Sequence, residues 1–161
     1  MISEPRDAVH VGVHLRVLFE RVPKAYAAQC LEDAVAAYCK GQERPCLVFV
    51  AADDDAAAAA FLDRLVGHHR LLAYRITGQA LRGADGHSDP PDLDPVVVDW
   101  WVLSTQEVLF VTRSGFAETA NWANPALLEA SSLQRPDAPT SACEWKNCLS
   151  IQFKHLGWNY C

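Results

Sequence analysis

The sequence predicts an α/β fold, a parallel sheet with helices on both faces, and three observations carry that reading. Residues 46 to 52, Cys-Leu-Val-Phe-Val-Ala-Ala, form an uninterrupted apolar run of the kind a strand covered on both faces requires. Ahead of it, Tyr26, Cys30, Leu31, Ala34, Val35 and Tyr38 recur at helical spacings of three and four. Strand-like, β-branched runs return at residues 9 to 15 and 108 to 111. Strands alternating with helices make βα units, whose right-handed crossovers place helices on both faces of one parallel sheet. The chain has 161 residues, 50% of them apolar, enough for the core of one domain.

Each element follows in order. Val9 to Leu15 alternates valines with His and Gly and ends at the polar Arg16. Pro23 suits a first helical turn, and the helix it opens runs to Gly41. Asp53, Asp54 and Asp55 follow the strand at 46 to 52. One of them can cap the next helix while the others favour its positive end. Ala56 to Ala60 supply helix propensity there, Phe61, Leu62, Leu65 and Val66 a core face, and Gly67 the stop. Leu71 to Ile76 reads as a third strand. Gly78, Gly83, Gly86, Pro90, Pro91 and Pro95 then mark a long polar loop, a length associated with function or mobility. The stretch from 95 to 104 is apolar nearly all round and reads as a buried helix whose only charge is Asp99. Val108 to Val111 is the last strand expected, and Thr112-Arg113-Ser114-Gly115-Phe116 leads into a helix with Thr119, Ala120 and Trp122. Periodicity fades beyond Pro125. The expected organisation is an α/β domain over 1–125, a linker over 126–142 and a Cys- and Trp-bearing tail over 143–161.

Fourteen Lys and Arg against twenty Asp and Glu leave a net charge of −6, the wrong sign for a general nucleic-acid or anionic-membrane binder. An anionic ligand therefore needs a local site. No apolar run approaches the roughly eighteen residues of a membrane span, and residues 1 to 8 lack the pattern of a secretory signal. As written, nothing in the sequence directs export. Cys30, Cys39 and Cys46 lie in apolar surroundings and are expected to be free, small buried hydrophobes. Cys143, Cys148 and Cys161 with His155 read C-x4-C-x6-H-x5-C; free thiols or a Cys143–Cys148 disulfide fit that spacing better than zinc does.

Ligands of parallel α/β sheets sit beyond the carboxyl ends of the strands. Arg16, Asp53 and Thr112 to Gly115 fall there, and Asp99 is expected at the start of the helix feeding the strand at 108. Arg16 offers a fork of donors to a phosphate, to which Ser114 and Gly115 at a helix start add a hydroxyl and backbone N–H groups. The alternatives are a surface ion pair for Arg16 and an ordinary cap for Ser114. A carboxylate in an apolar helix requires a partner, so Asp99 reads either as an acceptor for two N–H groups of guanine or as a salt-bridge partner of an arginine. His14 points to the same strand end, with a hydrogen-bonded core role as its alternative.

Taken in order, His14-Leu15-Arg16, Leu-Val-Phe-Val-Ala-Ala-Asp53-Asp54, and Val98-Asp99-Trp-Trp-Val-Leu-Ser104 running into Val-Leu-Phe-Val-Thr-Arg-Ser114-Gly115-Phe116 resemble the donor-binding half of GDP-fucosyltransferases. The resemblance is to the α1,6-, nodulation and protein O-fucosyltransferases and spans roughly residues 9 to 123. It implies a Rossmann-like domain, one half of a two-domain GT-B fold, that binds GDP-fucose with no metal or other cofactor. It further implies that Arg16 contacts the β-phosphate and favours the departing GDP. In the same carry-over His14 and Asp99 hold guanine, Asp53 lies near the nucleotide, and Ser114 and Gly115 meet phosphate. The reaction implied is inverting transfer of fucose to a glycan or glycoprotein acceptor in the Golgi or ER lumen, with an acceptor domain expected before residue 1. Where the α1,6 branch continues with a second Arg, an Asp and a Lys, this chain has Val17-Leu18-Phe19-Glu20-Arg21. Glu20 is then the nearest carboxylate for a catalytic role facing the acceptor, its alternative being a solvated loop residue. The rival class is a non-catalytic α/β interaction module in which Asp99 and Arg16 pair structurally and the Trp-bearing tail docks onto a partner.

Overall fold

In the computed structural model, the described residues are 7–17, 23–68, 71–74, 94–112, 114–124, 127–134 and 142–148. They form β1 (Val9–Leu15), α1 (Lys24–Lys40), β2 (Cys46–Ala52), α2 (Asp55–Leu65), β3 (Leu71–Tyr74), α3 (Asp94–Leu103), β4 (Val108–Thr112), α4 (Gly115–Ala123), β5 (Glu129–Leu133) and β6 (Trp145–Asn147). The sheet order is β3-β2-β1-β4-β5-β6. All pairings are parallel except that of β5 with β6. This is the doubly wound, Rossmann-like α/β arrangement that the alternation predicts.

The two sheet faces are filled by period-two alternation. Val9, Val11, Val13 and Leu15 of β1 join Val48 and Val50 of β2 under α1 and α2, whose Leu31, Val35, Phe61 and Leu65 are fully buried. Each such side chain contributes about 1.5–3 kcal/mol by leaving water. On the other face Phe49, Ala51, Leu109 and Val111 meet Val102 and Leu103 of α3 and Ala117 and Ala120 of α4. Gly12 of β1 belongs to this side. A Cβ there would sit 2.5 Å from Leu109 Cδ2 and 2.9 Å from Gln106 Cγ, so only glycine admits the approach of the α3–β4 connection.

Local chemistry sets the helix starts. Asp54 caps α2, its Oδ1 accepting the Ala57 N–H at 2.8 Å. That bond, with smaller help from Lys24, holds the Asp54 carboxyl below its ordinary pKa.

The structure corrects four expectations. Cys30, Cys39 and Cys46 are not free thiols: Cys30 is bridged to Cys143 and Cys39 to Cys46, with Cα–Cα separations of 5.7 and 5.8 Å. Cys148 is disulfide-bonded too, and no described cysteine is free. A Cys143–Cys148 bridge is therefore excluded, and bridged sulfurs offer no thiolate to zinc. Secondly, the expected linker contains β5, a strand in register with β4 from Val108↔Glu129 to Thr112↔Leu133. Glu-Ala-Ser-Ser-Leu has little strand propensity of its own; pairing and burial decide its state. Thirdly, the expected tail supplies β6, which covers the β5 edge. Finally, α3 is not buried all round. Val97, Val98 and Trp101 face outward while Asp99, Val102 and Leu103 face inward, because only one side of a helix can meet the sheet. The polar loop after Tyr74 lies outside the described residues. Among the described residues no helix is long and apolar enough to cross a membrane.

Candidate functional site

From β1 the chain winds outward to β2 and β3, then returns beside β1 as β4 and continues to β5. The winding direction therefore reverses between β1 and β4, and a crevice opens outside their carboxyl ends. Arg16 is the first residue past β1, and Ser114 lies two residues past the end of β4.

The backbone at the end of β1 is held by side chains. The Arg16 amide donates to Thr112 Oγ1 at 2.7 Å, and that hydroxyl donates to the His14 carbonyl at 3.2 Å. The Val17 amide donates to Asp53 Oδ1 at 2.8 Å, and the Asp53 amide to the Leu15 carbonyl at 3.4 Å. The Arg16 guanidinium reaches across the switch point, its Nη1 lying 3.5 Å from Ser114 Oγ. Ser114 is the N-cap of α4, accepting the Phe116 N–H at 3.2 Å. Space is open where a Gly115 side chain would stand. A guanidinium, a hydroxyl and the positive end of a helix thus converge, an arrangement with the chemistry to hold an anion.

His14 stands opposite Ala51 and Val111 in the sheet, and its ring centroid is 5.3 Å from that of Phe116 at the start of α4. Burial above all, with the nearby Arg16 cation, lowers its pKa to about 4, so the imidazole is neutral near pH 7. Its buried Nδ1 has no hydrogen-bond partner. Asp99 is also buried, on the α3/α4 side of the sheet but five residues, about 7.5 Å, along α3 from its first residue. The next residue ties α3 to α4, Trp100 Nε1 donating to Thr119 Oγ1 at 3.0 Å.

The structure thus gathers Arg16, Asp53, Ser114 and Gly115 at the ends of β1, β2 and β4 with His14 just before Arg16 on β1, and places buried Asp99 in the middle of α3 rather than at its start. Glu20, the candidate for acceptor-facing chemistry, lies outside the described residues. Sequence reasoning placed Thr112 at the crevice and gave it no role. Its signal was a hydroxyl at the last position of a strand whose next neighbours were already candidates. Among the described residues no cluster of His, Cys, Asp and Glu could hold a metal ion.

Fold and site together define a doubly wound α/β domain with an anion-competent crevice at its switch point. No family model matches the sequence, and neither does any curated protein. Among solved structures, the fold is similar to that of a mutant of Arabidopsis thaliana FUT1 in complex with GDP. The TM-score is 0.53 and the identity 11% over 88% of this chain, which spans 33% of that one. At this identity the likeness is one of fold alone.

Proposed function

We propose that this chain is the donor-binding domain of a glycosyltransferase, one half of a GT-B arrangement, and that its donor is GDP-fucose. The observation that carries the proposal is the approach of Arg16 to Ser114 and the α4 N-terminus, in a fold shared with a GDP-bound protein.

In this reading the diphosphate lies between the Arg16 guanidinium and the first turn of α4, with Ser114 and Gly115 beneath it. As the glycosidic bond breaks, negative charge grows on the departing diphosphate, and fixed donors aimed at that position stabilise it without a metal. The neutral His14 imidazole and the Asp99 carboxylate serve guanine, the carboxylate accepting two N–H donors from its edge. Asp53 contributes chiefly by holding the strand end, since one of its oxygens already accepts the Val17 amide. Inverting transfer to a glycan or glycoprotein acceptor requires a second domain to hold the acceptor hydroxyl opposite the diphosphate, and Glu20 is the carboxylate assigned to its proton. The disulfides support residence in an oxidising compartment such as the Golgi or ER lumen.

Calorimetry with GDP tests this reading. GDP binds in the micromolar range, more tightly than UDP, and a chelator leaves binding unchanged. Arg16→Ala weakens it roughly 10- to 150-fold, the worth of a hydrogen bond to a charged group. Asp99→Ala narrows the preference over UDP. A non-catalytic module instead gives no binding at high-micromolar GDP, or binding that neither substitution diminishes, and no turnover of GDP-fucose.

A further inference from the structure

We propose that Thr112 is a positioning residue that aims Arg16 at its ligand. The proposal rests on the reading of the crevice as a diphosphate site.

The direction in which the Arg16 side chain leaves the backbone, its Cα–Cβ bond, is set by the two peptide planes that flank its Cα. The plane before it is pinned where the Arg16 amide meets Thr112 Oγ1 at 2.7 Å, and the plane after it where the Val17 amide meets Asp53 Oδ1 at 2.8 Å. Thr112 also grips one plane further back. A hydroxyl has one proton to give and lone pairs to receive with, and this one gives its proton to the His14 carbonyl at 3.2 Å while receiving the Arg16 amide. The residue between those two planes, Leu15, is thereby fixed as well. The β1–β4 ladder ends at His14↔Val111, so the Thr112 side chain continues by hydroxyl what the strand backbone no longer supplies.

Thr112 is almost fully buried and ends the strand whose next residues carry the Ser114 cap. One strand end therefore holds both the backbone of the cation and the helix start that it faces. Arg16 Nη1 lies 3.5 Å from Ser114 Oγ across that common anchor. A valine has the shape of threonine but can neither give nor receive the two bonds. A serine can do both.

Backbone amide exchange and GDP calorimetry test the assignment on the same variants. In Thr112→Val, which loses both hydroxyl bonds, the Arg16 amide exchanges at least tenfold faster and GDP binds roughly tenfold more weakly, a change of the order of one buried hydrogen bond. In Thr112→Ser both values stay within about threefold of the parent, the rescue that a retained hydroxyl gives. In an Arg16→Ala background, Thr112→Val brings no further loss of GDP affinity, because its effect passes through Arg16. If Thr112→Val fails to fold, Thr112→Ala takes its place with the same expectations. Unchanged exchange in the valine variant overturns the proposal, as do affinity losses that multiply between the two sites. A parent protein that binds no GDP defeats the proposed function instead, and the exchange arm then decides the clamp by itself.

Discussion

The bridge from Cys30 to Cys143 joins residues 113 apart in sequence, and that from Cys39 to Cys46 residues 7 apart. Both constrain the unfolded chain, the longer loop more. Loop-closure entropy at 298 K assigns the first about 4.8 kcal/mol and the second about 2.4 kcal/mol. Their difference, about 2.5 kcal/mol, depends only on the ratio of loop lengths through (3/2)RT ln n. Paired alanine substitutions, Cys30→Ala with Cys143→Ala and Cys39→Ala with Cys46→Ala, remove one bridge each. Cys30, Cys39 and Cys46 are all buried and Cys143 partly so, which keeps the packing losses of the two pairs similar. Urea unfolding under non-reducing conditions, followed by tryptophan fluorescence, reads the stabilities. Trp145 is a suitable reporter, since its ring packs edge-on against Phe110 at 5.8 Å and only one residue separates it from Cys143. Loss of the long bridge also leaves β6 held by its three-pair ladder to β5 and by nearby contacts such as the Tyr26 Oη to Ala142 carbonyl bond, so its amides exchange faster. An equal or larger destabilisation on removing the short bridge would refute the loop-entropy argument. Thiol titration of the denatured parent should find fewer than the six free thiols that a fully reduced chain would give.

Two further expectations concern the sheet. His14 titrates near 4 in the fold against 6.5 in an unfolded chain, so between those values the unfolded state binds more protons. Its contribution is intact above pH 6.5 and is lost as pH falls towards 4, by on the order of 3 kcal/mol in all. Urea unfolding at pH 7 and pH 4.5 should show a smaller loss for His14→Gln than for the parent, and parallel losses would count against the assignment. Gly12→Val drives a side chain into Leu109 and Gln106 and should destabilise by at least the roughly 1–3 kcal/mol of an overpacked core, whereas an unchanged midpoint would contradict that close approach.

The parts of the fold legible in the sequence are those decided locally. The apolar run of β2, the three-and-four spacing of α1 and an aspartate cap on α2, though not which of Asp53 to Asp55 supplies it, each carry their own structural preference within a few residues. What stayed hidden depends on partners distant along the chain. β5 is a strand because β4 and β6 lie on either side of it. Disulfide connectivity is fixed by the fold, so the apolar setting of Cys30 was true while its free thiol was not. The candidate site was legible to the same degree. Arg16 and Ser114 could be placed together because both lie at strand ends flanking one switch point. The task of Thr112 could not be read, because it depends on the register that brings its hydroxyl level with the Arg16 amide.

The two faces of the sheet are unequal in a way that bears on function. The layer under α1 and α2 is lined mainly by valine, leucine, phenylalanine, alanine and bridged cysteine, with buried Thr112 on the same side at the end of β4. The opposite layer interleaves apolar side chains with buried His14, Asp99, Glu118, Asn121 and Ser132. Inverting polar and apolar positions on α3, with Asp99 inward and Trp101 outward, carries a desolvation cost that polar interactions of the carboxylate have to offset. Well-packed apolar residues at such positions generally give equal or greater stability. Polar burial concentrated on the side where α4 presents its N-terminus beside Arg16 is therefore the distribution that the proposed donor site would require of its scaffold.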